Sequence, residues 1–350
     1  MPTLRDVARL SGVSPATVSN VLNNRTRNTT DETRRRVLDA IRTLGYRPGA
    51  VPPGSNARVA RTIGILTWLA YSAPLTTYSY ALTLIDGILT VALADHWNVT
   101  LISVEHWEDA RAQVRLYADG RCDGFILLAP DLTLTIPDAL RERNYPFVVV
   151  SSGSSDLRVD SVGIDDFQAA LELTEYVISK GHTRIANLIG QEQMDDVTQR
   201  TNGFRQACLN AGIADPDRWI IHPGTYDVPT SSANLARFLD EIATLPAGDR
   251  PTTLMCGNDQ IAYGAWVELT KRGIAVPGDM SLTGFDDTHY AGLVKPRLTT
   301  VRQPLFQMGM RSCEIVLAHI AAPTDERAIT KETLAYELVK GSTVEPPRSP

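Results

Sequence analysis

The chain is poor in the residues that build covalent or metal frameworks. Its four cysteines (Cys122, Cys208, Cys256, Cys313) lie far apart, with no Cys-x-x-Cys and no paired His, so neither a disulfide scaffold nor a zinc site is expected. Buried thiols in a reducing compartment fit that spacing better. No apolar run approaches the roughly 18 residues of a spanning helix, which predicts a soluble protein with no membrane partner. The amino terminus, MPTLRDVARLSG, is charged where an export signal needs an apolar stretch of about 7 to 15 residues, so a cytoplasmic location is expected. Catalytic motifs are missing as well. There is no Gly-x-Ser-x-Gly elbow, no Gly-x-x-x-x-Gly-Lys loop, no Gly-x-Gly-x-x-Gly turn and no His-Glu-x-x-His pair. The six His are scattered and read as capping or surface groups. Neither an enzyme nor a resident cofactor or metal is therefore expected. What remains is ordinary: 350 residues, 43% hydrophobic and 21% charged, enough for two or three domains at about 100 to 200 residues each.

Lysine is also absent from residues 1–61, yet eleven Arg there face only Asp6, Asp31, Glu32 and Asp39, a charge of +7 that leaves −13 on the rest of a chain whose total is −6. A basic head on an acidic body is the asymmetry of a protein whose one end meets a polyanion. The head reads as helical. Thr3 and Asp6 make a capping box before a helix from about Leu4 to Leu10, and Ser11-Gly12 breaks it. Ser14 caps a second helix with Pro15 in its first position and Val18, Val21 and Leu22 as its apolar stripe. A third begins at Thr30 and closes at Gly45, with Val37, Ile41 and Leu44 turned inward. Two short helices joined by a tight turn, with a supporting third, form a helix-turn-helix, whose second helix enters the major groove. Thr17, Ser19, Asn20, Asn23 and Asn24 give that helix a short polar face suited to phosphates and base edges, and Arg25, Arg27 and Arg34 to Arg36 would flank the backbone.

From Thr62 onward apolar runs of strand length (TIGILTWL, VTLISV, GFILLA, FVVVS, RIANLIG, WIIH, TTLMCG, MSLTGF) alternate with helical periods such as Tyr80–His96 and Asp166–Lys180. Such alternation means parallel sheets covered on both faces, here two doubly wound lobes. Ligands of such sheets bind beyond the carboxyl ends of the strands, in the crevice between lobes. Asn258, Asp259 and Asp286 follow two of those strands, and Arg200, read as lying on a loop entering the next helix, can donate to the same ligand. Acceptors, donors and aromatics together suit a polyhydroxylated molecule.

TLRDVARLSGVSPATVSNVLNN followed by TDETRRRVLDAIRTLGYRP resembles the head of the LacI/GalR family of transcriptional regulators. GHTRIANLIG, RTNGFRQACLNAG, GNDQIAYGAWVELTKRGIAVPGDMSLTGFDDT and PRLTTVRQP extend the resemblance over essentially the whole chain. It implies a body like a type I periplasmic binding protein, base contacts from Pro15, Ala16 and Asn20, and phosphate contacts from Thr17, Ser19 and the amides near Thr3 and Leu4, with Ser14, Asn23 and Arg25 in the same face. It also implies effector contacts from Arg200 and Asp259 with Asn258 beside them, a stacking aromatic at Tyr226, and a cleft lined by Tyr78, Tyr80, Ser151 and Asp286. Two positions depart from the family. Ser55, preceded by Pro52, Pro53 and Gly54, stands where a hinge-helix Leu wedges into the minor groove, and Ser151-Ser152 replaces an acidic-basic pair after the fourth strand. The implied organisation is a helix-turn-helix over 1–47, a linker over 48–61 and an effector-binding and dimerisation body over 62–345. Its lobe 1 takes about 62–163 and 290–320, and its lobe 2 about 164–289 and 323–345. The expected function is a homodimeric repressor of carbohydrate genes, bound to a pseudo-palindromic operator and released by a sugar. A nucleobase-responsive or corepressed regulator, and a transport solute-binding protein, are the rival readings.

Overall fold

The computed structural model describes residues 2–22, 29–46, 61–67, 74–103, 114, 117–130, 136–151, 158–190, 194–221, 228–322 and 329–348. Helix α1 (Leu4–Ser11) starts where Thr3 Oγ1 accepts the Asp6 amide at 3.3 Å and the Asp6 carboxylate accepts the Thr3 amide at 2.9 Å. Gly12, at φ 66°, ends it in the left-handed region. In α2 (Pro15–Leu22), Ser14 Oγ accepts the Thr17 amide at 3.1 Å. Helix α3 (Asp31–Leu44) is capped by Thr30 and closed by Gly45. The three apolar stripes meet in one core of Val7, Ala8, Val18, Val21, Val37, Ile41 and Tyr46, which contains head residues only.

The body then runs β1 (Thr62–Thr67), α4 (Ser79–Ala94), β2 (Asn98–Ser103), β3 (Gly124–Leu128), α5 (Ile136–Arg141), β4 (Phe147–Val150) and β5 (Ser161–Gly163). It continues with α6 (Asp166–Ser179), β6 (Ile185–Leu188), α7 (Asp195–Asn210), β7 (Ile220–Ile221), α8 (Val228–Ala243), β8 (Thr253–Cys256), α9 (Asp259–Lys271), β9 (Ser281–Thr283) and α10 (His289–Leu293). The chain closes with β10 (Thr300–Arg302), α11 (Leu305–Ala321), β11 (Lys331–Thr333) and β12 (Glu337–Val339). Lobe 1 holds an all-parallel sheet of order β11-β5-β4-β3-β1-β2, and lobe 2 a parallel sheet of order β7-β6-β8-β9. Strands β3 and β4 are buried at every residue, as continuous Val/Ile/Leu runs must be between two helical layers. Helices α4 and α11 pack together on lobe 1, and α6 and α7 on lobe 2.

Two lobe boundaries differ from the expectation. Residues 331–333 lie in lobe 1, not lobe 2, because β11 pairs in parallel with β5. Residues 290–298 stay in lobe 2, since Ala291, Val294 and Leu298 belong to its core; the return crossing comes at β10, which pairs antiparallel with β12. Past β12 the tail rejoins lobe 2, where the Leu282 amide donates to the Thr343 carbonyl and His182 Nε2 lies 2.8 Å from the Glu345 carbonyl. Three strands of chain thus join the lobes. All four cysteines are free and buried; burial pushes Cys122 up to about 11 and Cys208 and Cys313 up to about 12. Among the described residues no helix is long and apolar enough to cross a membrane.

Candidate functional site

The carboxyl end of the lobe 2 sheet gathers one cation and three carboxylates. Arg200 lies not on a loop but in the second turn of α7, placed there by the close packing of α7 on α6. Its Nε donates to Asp166 Oδ1 at 2.8 Å and its Nη1 to the Gly257 carbonyl at 2.8 Å. Asp196 and Asp286 stand 3.5 and 3.7 Å from the same guanidinium, which also lies 3.8 Å above the Phe285 ring centroid. All four charged side chains are nearly or fully buried. Burial therefore drives the carboxyls toward protonation: Asp166 and Asp286 are each pushed up to about 7, and Asp196 upward too, with Arg200 opposing the rise in every case. Arg200 itself is held protonated by the three acids.

Lobe 1 supplies the facing hydroxyls. Tyr80, in the first turn of α4, is pushed well above its ordinary range first by burial and then by the charges of Asp286, Asp196 and Asp166. Its hydroxyl is buried without a hydrogen-bond partner among the described residues. Ser151, just past the carboxyl end of β4, is buried at φ 68°, and among the described residues its Oγ has no partner either. A non-glycine residue held in that region is strained, as is Asp286 at φ 104°; such strain gathers at binding sites. Tyr78 is half-buried against the core joining both lobes. Tyr290 Oη donates to the Thr77 carbonyl at 3.4 Å, tying the lobes at the same end. Arg200 also lines a small cavity of about 30 Å³ with Asn187, Thr201 and Phe285, room for a water or two. A larger one of about 260 Å³, between Arg184, Arg218 and Trp219, sits at the amino end of β6, away from this chemistry.

Arg200 and Asp286 thus come together, and the charge of Asp286 acts on Tyr80 and Asp259 alike, but the hydrogen bonds of Asp259 and Asn258 go elsewhere. Asp259 is fully buried, and its oxygens accept Thr300 Oγ1 at 2.7 Å, the Thr288 amide at 2.6 Å and Thr288 Oγ1 at 3.2 Å. Both oxygens are engaged, so the side chain buckles α9 to the returning chain. Asn258 caps α9, its Oδ1 accepting the Ile261 amide at 2.8 Å. Tyr226 and Ser152 lie outside the described residues. Asp166, Asp196 and Phe285 were missed as site members; the Asp196–Arg200 spacing of four within one helix was the available signal. Next to Asp286, Asp287 turns away from the cluster and accepts from Arg297 and Arg302 at 2.8 Å each.

In the head, Ser14, Pro15 and Ala16 are exposed and Thr17, Ser19 and Asn20 half-buried, opposite the buried Val18, Val21 and Leu22. Thr17 Oγ1 and Ser14 Oγ share a 2.9 Å hydrogen bond. Thr3 is exposed and Leu4 half-buried against the head core. Asn23, Arg25 and Ser55, with the linker over 47–60, lie outside the described residues.

Known proteins match both parts. A model described as bacterial regulatory proteins, lacI family, matches residues 3–49, and one described as a periplasmic binding protein-like domain matches 174–344. The HTH-type transcriptional repressor PurR of Vibrio cholerae is 33% identical over 346 residues, 98% of each chain, and its Vibrio parahaemolyticus counterpart is 32% identical over 98% of this chain and 99% of its own. Among solved structures, the transcriptional regulator CelR in complex with cellobiose superposes with a TM-score of 0.72 at 24% identity, covering 98% of this chain and 100% of its own. A LacI family regulator from Enterococcus faecium with bound ribose gives 0.68 at 26% identity, over 82% of this chain and 100% of its own. With a helix-turn-helix head, two parallel-sheet lobes and a relative aligned from end to end, this chain belongs to the lacI family of bacterial DNA-binding regulators.

Proposed function

We propose that the chain is a homodimeric transcriptional repressor whose grip on a pseudo-palindromic operator is set by a small, uncharged, hydroxyl-bearing effector, a sugar, held between the lobes. The observation that carries this reading is the Arg200 cluster facing the unpartnered Tyr80 hydroxyl. Carboxylates accept from ligand hydroxyls, and the guanidinium edge donates to ring or hydroxyl oxygens. The balance of charge selects against anions. Among the described residues of the site Arg200 is the sole cation, its Nε and Nη1 are committed to Asp166 and Gly257, and three acids surround it. With the acids around it partly ionised, the one committed guanidinium leaves no net positive charge to hold a phosphate ester.

Operator control follows if the ligand binds one arrangement of the lobes better than the other; it can shift the equilibrium only by that difference. A hundredfold change in operator affinity asks for roughly 2.7 kcal/mol of coupling, within reach of a few buried hydrogen bonds. The ribose-bound relative supports a sugar. The Vibrio relatives named PurR favour the rival reading, a nucleobase, which is also uncharged. Titration calorimetry with pentoses, hexoses, disaccharides, purine bases and the sugar phosphates separates these. A neutral sugar that binds, and that releases the protein from a duplex selected for tight binding, is the expected result. Tight purine binding without sugar binding reassigns the effector, and a sugar phosphate binding more tightly than its parent sugar overturns the uncharged-ligand reading.

A further inference from the structure

We infer that lobe 1 holds the DNA-binding head through a polar latch, in which Arg143 and Asn144 cap the carboxyl ends of α2 and α3. The last carbonyls of a helix have no partner within it and carry the negative end of the helix dipole. Here the body contributes at both ends, alone among the described hydrogen bonds at Leu22 of α2 and in addition to the Tyr46 amide at Ile41 of α3. Arg143 Nη2 donates to the carbonyl of Leu22, the last residue of α2, at 3.1 Å, while its Nη1 donates to the Ala139 carbonyl of α5 at 3.0 Å. The side chain is buried, 8% exposed, so one guanidinium joins helix ends from two domains. Asn144 Nδ2 donates to the Ile41 carbonyl at 3.0 Å and the Tyr46 carbonyl at 3.4 Å, at the end of α3. Glu142 adds a longer ion pair to Arg34 at 3.9 Å.

Two features make this a latch and not a fused domain. Among the described residues the head core contains no body residue, so the described contact rests on hydrogen bonds and one long ion pair, and it can open. The latch also takes the carbonyl end of α2 and leaves Ser14, Pro15 and Ala16 exposed at the other end, so a latched head can still read DNA. Its orientation is then fixed by lobe 1 directly as well as through the linker. Strand β4 begins three residues after Asn144 and ends at the strained Ser151. One short, fully buried strand therefore spans from the latch to the cleft end of the sheet, and the latch follows lobe 1 whichever ligand enters the cleft.

The test exploits the backbone of Asn144, which sits at φ 57° and donates its amide to the Arg141 carbonyl at 3.0 Å. Glycine accepts that conformation without strain, so Asn144→Gly keeps the turn and deletes only the side-chain contacts to the head. Transverse relaxation of head amides in the full-length protein reads whether the head tumbles with the body. The wild type should relax as one body. In Asn144→Gly, and more so in Asn144→Gly with Arg143→Met, head relaxation rates should fall at least about twofold, with the thermal midpoint of the Asn144→Gly body unchanged. If Arg143→Met unfolds lobe 1, the single variant decides. Equal head relaxation in wild type and Asn144→Gly, or a wild-type head already tumbling freely, overturns the latch.

Discussion

Asp259 and Asp286 both follow strands of lobe 2, and burial raises both, yet their neighbours give them different consequences. Asp259 accepts three hydrogen bonds from Thr288 and Thr300. Asp259→Ala leaves those buried donors unsatisfied and should cost about 2 to 4 kcal/mol in urea unfolding; an effector defect at unchanged stability would return Asp259 to the binding site. Asp286, 5% exposed, faces Arg200 and accepts Gln303 Nε2 at 2.7 Å. Its folded value of about 7 lies above the roughly 3.9 of an unfolded aspartate. The native state therefore binds more protons between those values, and the penalty for ionising Asp286 grows as pH rises through that window and is complete above about 7. Asp286→Asn lifts that penalty. Relative to wild type it should be more stable at pH 8 than at pH 5 by on the order of 2 kcal/mol, and should lose effector response at both. A stability difference independent of pH would mean that Asp286 stays ionised throughout.

Helix pairing decides the architecture at the next scale, and it turns on glycines whose partners are distant in sequence. A Cβ on Gly87 of α4 would sit 2.1 Å from the Phe306 carbonyl, and one on Gly309 of α11 would sit 2.1 Å from the Leu84 carbonyl. The two backbones touch reciprocally. Alanine is the better helix former by about 1 kcal/mol, so in an open helix Gly87→Ala would stabilise. Here the methyl meets backbone that cannot swing aside, and Gly87→Ala should lower stability by roughly 1 to 3 kcal/mol or more, measured by the urea midpoint; a stabilised variant would show that α4 and α11 do not approach so closely. The sequence made the head helices, their caps and all eight Val/Ile/Leu-rich strands legible, because local periodicity and capping chemistry are written within a few residues. It hid β5, β10, β11 and β12, whose short segments SVG, TVR, KET and ELV carry no extended run of apolar residues, and it hid their pairing, which depends on residues far away. The same limit explains the site. Arg200 and Asp286 could be placed at strand and helix ends, but that Asp259 turns toward Thr300 while Asp166 reaches Arg200 is tertiary information.

For the whole molecule the charge division carries the most weight: +7 on residues 1–61 against −13 on the remainder. Neutralising phosphates releases condensed counterions, so log K falls with log salt at about −0.9 per contact, while the acidic body is repelled by the same duplex and keeps contact confined to the heads. Two heads on one duplex, each contributing about three to five phosphate contacts, give an expected slope of roughly −5 to −9, measured by fluorescence anisotropy on a duplex selected from a random library. The exposed Arg35 and Arg36 are candidates for backbone contact; replacing either by Gln should flatten the slope by about 1 per head and weaken selected and random DNA alike. Asn20→Ala should do the reverse, leaving the slope unchanged while discrimination between selected and random DNA drops by about 1 to 3 kcal/mol per half-site. Should Asn20→Ala weaken both duplexes equally and flatten the slope, α2 grips phosphate only and sequence is read elsewhere. A slope half as steep at saturation, with one head bound per duplex, would remove the two-fold dimer from the mechanism.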